Sequence, residues 1–440
     1  MTKRKLVLAC ALMGALVAVV ASTASAGASS VKPLVLNDSQ LTAKTTTTGG
    51  AVVLPTTRTV PHWFGQTTDP DNGVTYRYNI AGADPTTCSG AACSTTVEVD
   101  IAPIVVNVDG LTFDGTQVVG ATLGSPIFTT NDYGFTTAAT AAGSFPSLPE
   151  LVRGPGGPLS QGDAGQRLQL VDATMRAQFA KTGASSSYHL ILHPNVLPPA
   201  TIDVPRNQGT LIASGRGVVG AEIDAGWWLS RVKSLETKAD PTHLAVFLTN
   251  QVVLYDDNDP THCCGVGNHG TNPVGTGGGS SSGNGKQPVQ TFVWASYIQP
   301  GFFARGNGGT DWAIQDIHSL SHELTEWADD PFLNNTVEPW FAQTAPQYGC
   351  TDLLETGDPV FGIGFAMGTN TFQQGPNPDG SQSADGFYHP EDEAFLPWFM
   401  RLAPNTVSEP TQSPSTNGGR YTLMGDLNPF AAFRAPATDC

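Results

Sequence analysis

Apolar and polar positions alternate through Thr95–Asn107 (TTVEVDIAPIVVN), a run rich in β-branched residues that predicts a strand, and Asp109-Gly110 behind it predicts a turn. Further short apolar runs of strand length follow at Tyr188–Leu192, Gly217–Ile223, Leu244–Leu248 with Val252–Tyr255, and Val289–Ile298. Between them the period changes. Leu168, Val171, Met175 and Phe179 fall on one stripe of a helix predicted over Asp163–Thr182, with Gly183 as its stop. A second helix is predicted over 311–328, capped by Asp311 and stopped by Pro331, with Ile314, Ile317, Leu320, Leu324 and Trp327 as its core-facing stripe. Strands and helices in this order describe a layered α/β or α+β body.

The ends of the chain change where that body is expected to work. Thr2-Lys3-Arg4-Lys5, the apolar run Leu6–Val20 and the small residues Ala24-Ser25-Ala26 have the form of a signal peptide over 1–26. No other stretch approaches the roughly 20 apolar residues of a membrane span, so a secreted protein with no membrane association after cleavage is expected. Residues 27–94 read as a flexible leader or pro-segment with an N-terminal extension, Thr45-Thr46-Thr47-Thr48-Gly49-Gly50 being their simplest piece, and 95–440 as the body. Within it, the Gly- and Ser-rich stretch 265–287 reads as a flexible surface insertion. Its Gly279-Ser280-Ser281-Ser282-Gly283 matches a nucleophile elbow only in letters, having no strand before it or helix after it.

Charge and cysteines narrow the partners. The formal net charge of −17 repels nucleic acid. Six cysteines remain once Cys10 leaves with the signal: Cys88, Cys93, Cys263, Cys264, Cys350 and Cys440. An even number in an exported chain favours disulfides. Cys88 and Cys93 can close a small turn, while the adjacent Cys263 and Cys264 are expected to reach Cys350 and Cys440 rather than each other. The lack of paired C-x-x-C spacing argues against thiol-bound zinc.

The chemistry concentrates in the second helix. His322-Glu323-Leu324-Thr325-Glu326 reads H-E-x-x-E, one residue from the zinc-protease signature H-E-x-x-H. Residues i and i+4 stand about 5 to 6 Å apart on one helix face, close enough to share an ion. His318 continues the stripe, but eight residues of helix put it about 12 Å from Glu326, so the three cannot hold one ion together. A third ligand must come from later in the chain, and Glu355 is preferred, with Asp358 and His389 as the next candidates. The expected set is thus His322, Glu326 and Glu355 around Zn²⁺, with Glu323 as the general base on a bound water. Carboxylate-rich ligation also admits Ca²⁺ or Mn²⁺. His318 is read either as a hydrogen-bonding neighbour of the site or as a plain surface histidine. His262 and His269, which flank the cysteine pair, are weaker candidates for lining the cleft, because scattered histidines are more often core or surface residues than ligands.

Ser321-His322-Glu323-Leu324-Thr325-Glu326-Trp327-Ala328-Asp329-Asp330-Pro331, then Glu355-Thr356-Gly357-Asp358-Pro359, then Asp392–Phe399 resemble a group of secreted bacterial and fungal HExxE proteins of the metallopeptidase-like, zincin-like kind. More distantly they resemble the plant exordium, or phosphate-induced, cell-wall proteins. The resemblance implies an α+β, zincin-like mixed sheet with a cleft floored by the site helix. It implies a site built on His322, Glu323, Glu326 and Glu355, with Asp330 and Asp358 as outer acceptors, and a peptide or protein substrate. A catalytically silent wall protein binding cell-wall glycan on the same fold is one rival, with Trp227, Trp228, Trp294, Trp340 and Trp398 available to stack on sugars. A carboxylate-pair glycan hydrolase is the other.

Overall fold

In the computed structural model the described residues are 31–33, 58–70, 72–88, 93–132, 140–141, 151–152, 167–179, 188–236, 239–273, 288–303, 314–341, 350–362, 364–372, 376–380, 385–400 and 422. The predicted signal segment 1–26, the cap Asp311, the stop Gly183, the Gly279–Gly283 match and Cys440 lie outside them. Among the described residues, no helix is long and apolar enough to cross a membrane.

Apart from shorter pieces, the chain runs through β1 (His62–Thr68), β2 (Thr75–Ala81), β3 (Ser94–Val108), β4 (Leu111–Asp114), α1 (Leu170–Gln178), β5 (His189–Val196), β6 (Ala200–Asp203), β7 (Gly209–Ala213) and β8 (Val219–Asp224). It continues through α2 (Ala225–Glu236), β9 (Leu244–Asn250), β10 (Val252–Tyr255), β11 (Cys263–Gly265), β12 (Gly267–Pro273), β13 (Val289–Tyr297), α3 (His318–Asp329), β14 (Thr336–Phe341) and β15 (Cys350–Leu353). The architecture is α+β.

A seven-stranded mixed sheet carries the site, in the order β5-β3-β9-β13-β12, with β4 and β6 also paired to β3. β5, β3, β9 and β13 run parallel, and β12 lies antiparallel on β13 at the edge. The two-residue period of a strand explains how it is buried on both faces. Val97, Val99 and Ile101 of β3, Leu244, Val246 and Leu248 of β9, and Val293 and Ala295 of β13 share one core with Leu320, Leu324 and Trp327 of α3 and Val171 and Met175 of α1. The alternate residues Ile104, Val106, Ala245, Phe247, Phe292 and Trp294 share the other with Trp228 and Val232 of α2 and with Leu211, Ile223 and Leu254. These last come from a second sheet of order β7-β8-β10-β11, which begins with a short strand at Lys32–Pro33. The predicted turn is present: Asp109 and Gly110 both take positive φ, 47° and 86°, joining β3 to β4.

Several expectations need correction. The body begins well before Thr95, because β1 and β2 form a hairpin whose Tyr78, Ile80 and Ala81 enter the core shared with α3. Nor is 265–287 a uniform insertion. Gly267–Pro273 is the edge strand β12, pinned by its ladder to β13, while 274–287 lie outside the described residues. The first helix is shorter than predicted, Leu170–Gln178, although Leu168, Val171, Met175 and Phe179 are all buried as the stripe requires. The second begins at His318 instead of residue 311, with Ile317 at its N-cap position and no side-chain cap.

The cysteines also pair differently. Cys88 and Cys93 are bonded as expected, but Cys263 is bonded to Cys264. Both are buried beside Val253, Tyr255 and Val266, and with their two sulfurs in one bond neither is left for the predicted long-range bridges to Cys350 and Cys440. Cys350 is itself disulfide-bonded.

Candidate metal centre

An ordinary surface helix buries one stripe and leaves the opposite face to water. All twelve residues of α3 are buried, so the H-E-x-x-E face is covered too. β12 packs along it, and Ser319 Oγ donates to the Val266 carbonyl at 2.6 Å, which holds the start of that strand against the helix. On the other side, Ser321 Oγ accepts from Glu391 N at 2.8 Å, and the Ala394 amide bonds the Thr356 carbonyl at 2.8 Å. These bonds bring the stretches after Glu355 and after Glu391 over the same face of the helix.

His322, Glu323 and Glu326 are 1–2% exposed. Glu326 sits in the middle. Its Oε1 accepts from Gly357 N at 3.1 Å, and its Oε2 lies 3.2 Å from His322 Nε2 and 3.3 Å from His269 Nδ1. His269, on β12, also meets Glu323 Oε2 at 3.2 Å through Nδ1, and its Nε2 faces Glu355 Oε2 at 3.8 Å. Asp358 Oδ1 lies 3.9 Å from His322 Nε2, while His322 Nδ1 lies 2.9 Å from Glu391 Oε2. Two groups of potential ligands result, His269 with Glu323 and Glu326, and His322 with Glu326 and Asp358, each with its donor atoms within 4.8 Å of one another.

The structure therefore brings together His322, Glu323, Glu326 and Asp358 from the predicted set. Glu355 is near but stands behind His269 instead of beside His322. His318 is not a surface residue. It is 1% exposed, with Nε2 2.9 Å from Glu391 Oε2. His389 is occupied elsewhere, Nδ1 with Asp316 Oδ2 at 2.7 Å and Nε2 with Asp385 Oδ2 at 3.1 Å. Asp330 accepts the Asn334 and Asn335 amides at 3.0 Å each, closing the chain after α3 instead of supporting a ligand. One participant escaped prediction and another was only a weak candidate. Glu391 is the first residue of the acidic run Glu391-Asp392-Glu393, whose density was the available signal, and His269, named with His262 only as a weaker candidate for lining the cleft, lay in glycine-rich composition.

Burial and mutual charge set the electrostatics. Burial opposes charge on both His269 and His322, but the carboxylates against them, Glu323 and Glu326 on the first and Glu326 and Glu391 on the second, outweigh it and hold both pKa values well above the imidazole range. Burial would raise Glu326 too, yet His322 and His269 hold it below the usual carboxylate range. Glu323, Glu355 and Asp358 are raised, first by burial, and the Glu326 charge adds to the effect on all three.

The donor set fits a divalent cation. His269 Nε2, His322 Nε2, Glu323 Oε1 and Glu355 Oε2 are buried polar atoms with no hydrogen bond, a costly state that an ion relieves. Imidazole with carboxylate favours a transition metal over calcium. Four of the five candidate sugar platforms, Trp228, Trp294, Trp340 and Trp398, are fully buried and so closed to a glycan, while Trp227 is half-buried. No family model, curated protein or solved structure matches the chain.

Proposed function

We propose that this chain is a secreted metal-dependent hydrolase of the peptidase kind, holding zinc or a similar divalent ion at His322, Glu326 and Asp358, with Glu323 as general base. The observation that carries the reading is the enclosure of the H-E-x-x-E face by an edge strand and two acidic segments, which turns helix spacing into a convergent donor set. An antiparallel edge strand lying over the site helix of a mixed sheet supports the zincin-like reading of the fold.

An ion held there supplies a Lewis acid that polarises a carbonyl oxygen and lowers the pKa of a water. The chain's own residues do the rest. Glu391 on Nδ1 of His322 leaves Nε2 to face Glu326 and Asp358, which fixes the tautomer suited to ligation. Gly357 N, donating to Oε1 of Glu326, leaves Oε2 toward the imidazoles. Glu323 keeps Oε1 without a hydrogen bond, as the atom able to accept a proton and pass it to a leaving amine. Burial raises its pKa, so it holds a proton more readily than an exposed glutamate does. Asp358, with 15% of its side chain exposed, marks where the cluster meets solvent.

Casein or peptide cleavage by the wild-type chain and by Glu323→Gln, with metal content measured on both, tests the assignment. Retained zinc with cleavage reduced about 10²- to 10⁴-fold is expected. Retained zinc with unchanged cleavage removes Glu323 from the mechanism, and zinc without any cleavage by the wild type favours a silent extracellular protein.

A further inference from the structure

We infer that the centre takes two divalent ions bridged by Glu326, the first on His322 and Asp358 and the second on His269 and Glu323. The inference rests on the reading of His322, Glu326 and Asp358 as an ion site and adds a neighbour to it.

Donor spacing carries the argument. Ligand atoms about 2.0 to 2.2 Å from a tetrahedral ion stand about 3.3 to 3.6 Å from one another. On one side, His322 Nε2 lies 3.2 Å from Glu326 Oε2 and 3.9 Å from Asp358 Oδ1. On the other, His269 Nδ1 lies 3.2 Å from Glu323 Oε2 and 3.3 Å from the same Glu326 oxygen. The two groups have Glu326 in common and do not merge into one. A carboxylate shared in this way is how paired ions about 3.5 to 4 Å apart are held in two-metal hydrolases.

The back of each imidazole gives an independent indication. A ligating histidine commonly gives its second nitrogen to an outer carboxylate, which sets the tautomer and the ring plane. His322 has Glu391 Oε2 at 2.9 Å on Nδ1, whereas Glu355 Oε2 faces Nε2 of His269 only from 3.8 Å, beyond hydrogen-bond reach. Both rings direct their other nitrogen at the same Glu326 oxygen, His322 Nε2 from 3.2 Å and His269 Nδ1 from 3.3 Å. With Oε2 of Glu323 on the second ion, Oε1 is still left to accept a proton.

Stripping the full chain with chelator and titrating it with Mn²⁺, followed by calorimetry and electron paramagnetic resonance, tests the pair. Saturation at two equivalents is expected, with the six-line signal of the first ion broadened as the second binds beside it. His269→Ala should bring two equivalents down to one with the six-line signal kept, and if that variant does not fold, the wild-type titration decides alone. Saturation at one equivalent, or two equivalents with uncoupled spectra, overturns the inference. Two coupled ions without peptide cleavage uphold it while sinking the peptidase reading, and one ion with cleavage does the reverse.

Discussion

At the scale of single residues, the centre depends on side chains that carry no chemistry of their own. Gly357 passes so close to His322 that a Cβ there would land on the imidazole, and a Cβ on Gly267 would land on Glu323 and Ser319 Oγ. Neither glycine has the positive φ that would otherwise explain it, so close approach of backbone to ligand is the reason for both. Gly357→Ala should therefore displace His322 and reduce bound metal per chain. Glu391→Ala removes the carboxylate behind His322 and should weaken metal affinity about 10- to 100-fold, read by competition with a chelating dye. Ion uptake should also depend on pH. Because the carboxylates hold His269 and His322 protonated well above the imidazole range, an incoming ion displaces protons, so affinity should rise with pH and proton release should be measurable by calorimetry in buffers of different ionisation enthalpy.

At the scale of elements, α3 is tied on every side. After its last turn, Asn335 accepts from Asn79 N at 2.7 Å and donates to the Asn79 and Asp329 carbonyls at 2.6 Å each, fastening the β1–β2 hairpin to the helix end. The edge strand has its own tie, since Asn272 of β12 donates to Glu236 of α2. Burial pushes Glu236 from 4.5 up to about 8, and Asn272 and Lys233 only partly offset it. The folded chain thus binds a proton there that the unfolded chain gives up, and stability falls as pH rises from about 4.5 through about 8. Glu236→Gln should flatten that slope and raise the denaturant midpoint above pH 8, with little change at pH 4. Each tenfold difference in proton affinity between the folded and unfolded chain is worth roughly 1.4 kcal/mol.

At the scale of the whole molecule, the proposed ion site lies where the edge strand, the helix and two distant segments meet, so occupancy should be linked to folding. Chelation is expected to lower the thermal midpoint and zinc or Mn²⁺ to restore it, since a ligand that binds only the folded chain stabilises it by mass action. Scanning calorimetry with and without chelator measures this. The sequence by itself determined four strands of the seven-stranded sheet, β3, β5, β9 and β13, and the helix carrying H-E-x-x-E, because a two-residue or 3.6-residue apolar period is a local property that burial on a layer enforces. It also showed His322, Glu323 and Glu326, since their spacing lies within one helix. What only the tertiary structure decided is their company. Asp358 stands by His322 where Glu355 was expected, and Glu391 lies behind it. His269 reaches Glu326 because Gly267–Pro273 adds an edge strand to β13, the next strand in the chain, a pairing that leaves no mark on the glycine-rich local composition. A coordination shell is a meeting of distant segments at distances of a few ångströms, and that meeting is set by sheet order and by the packing of backbone against helix, not by the letters on either side of any one ligand.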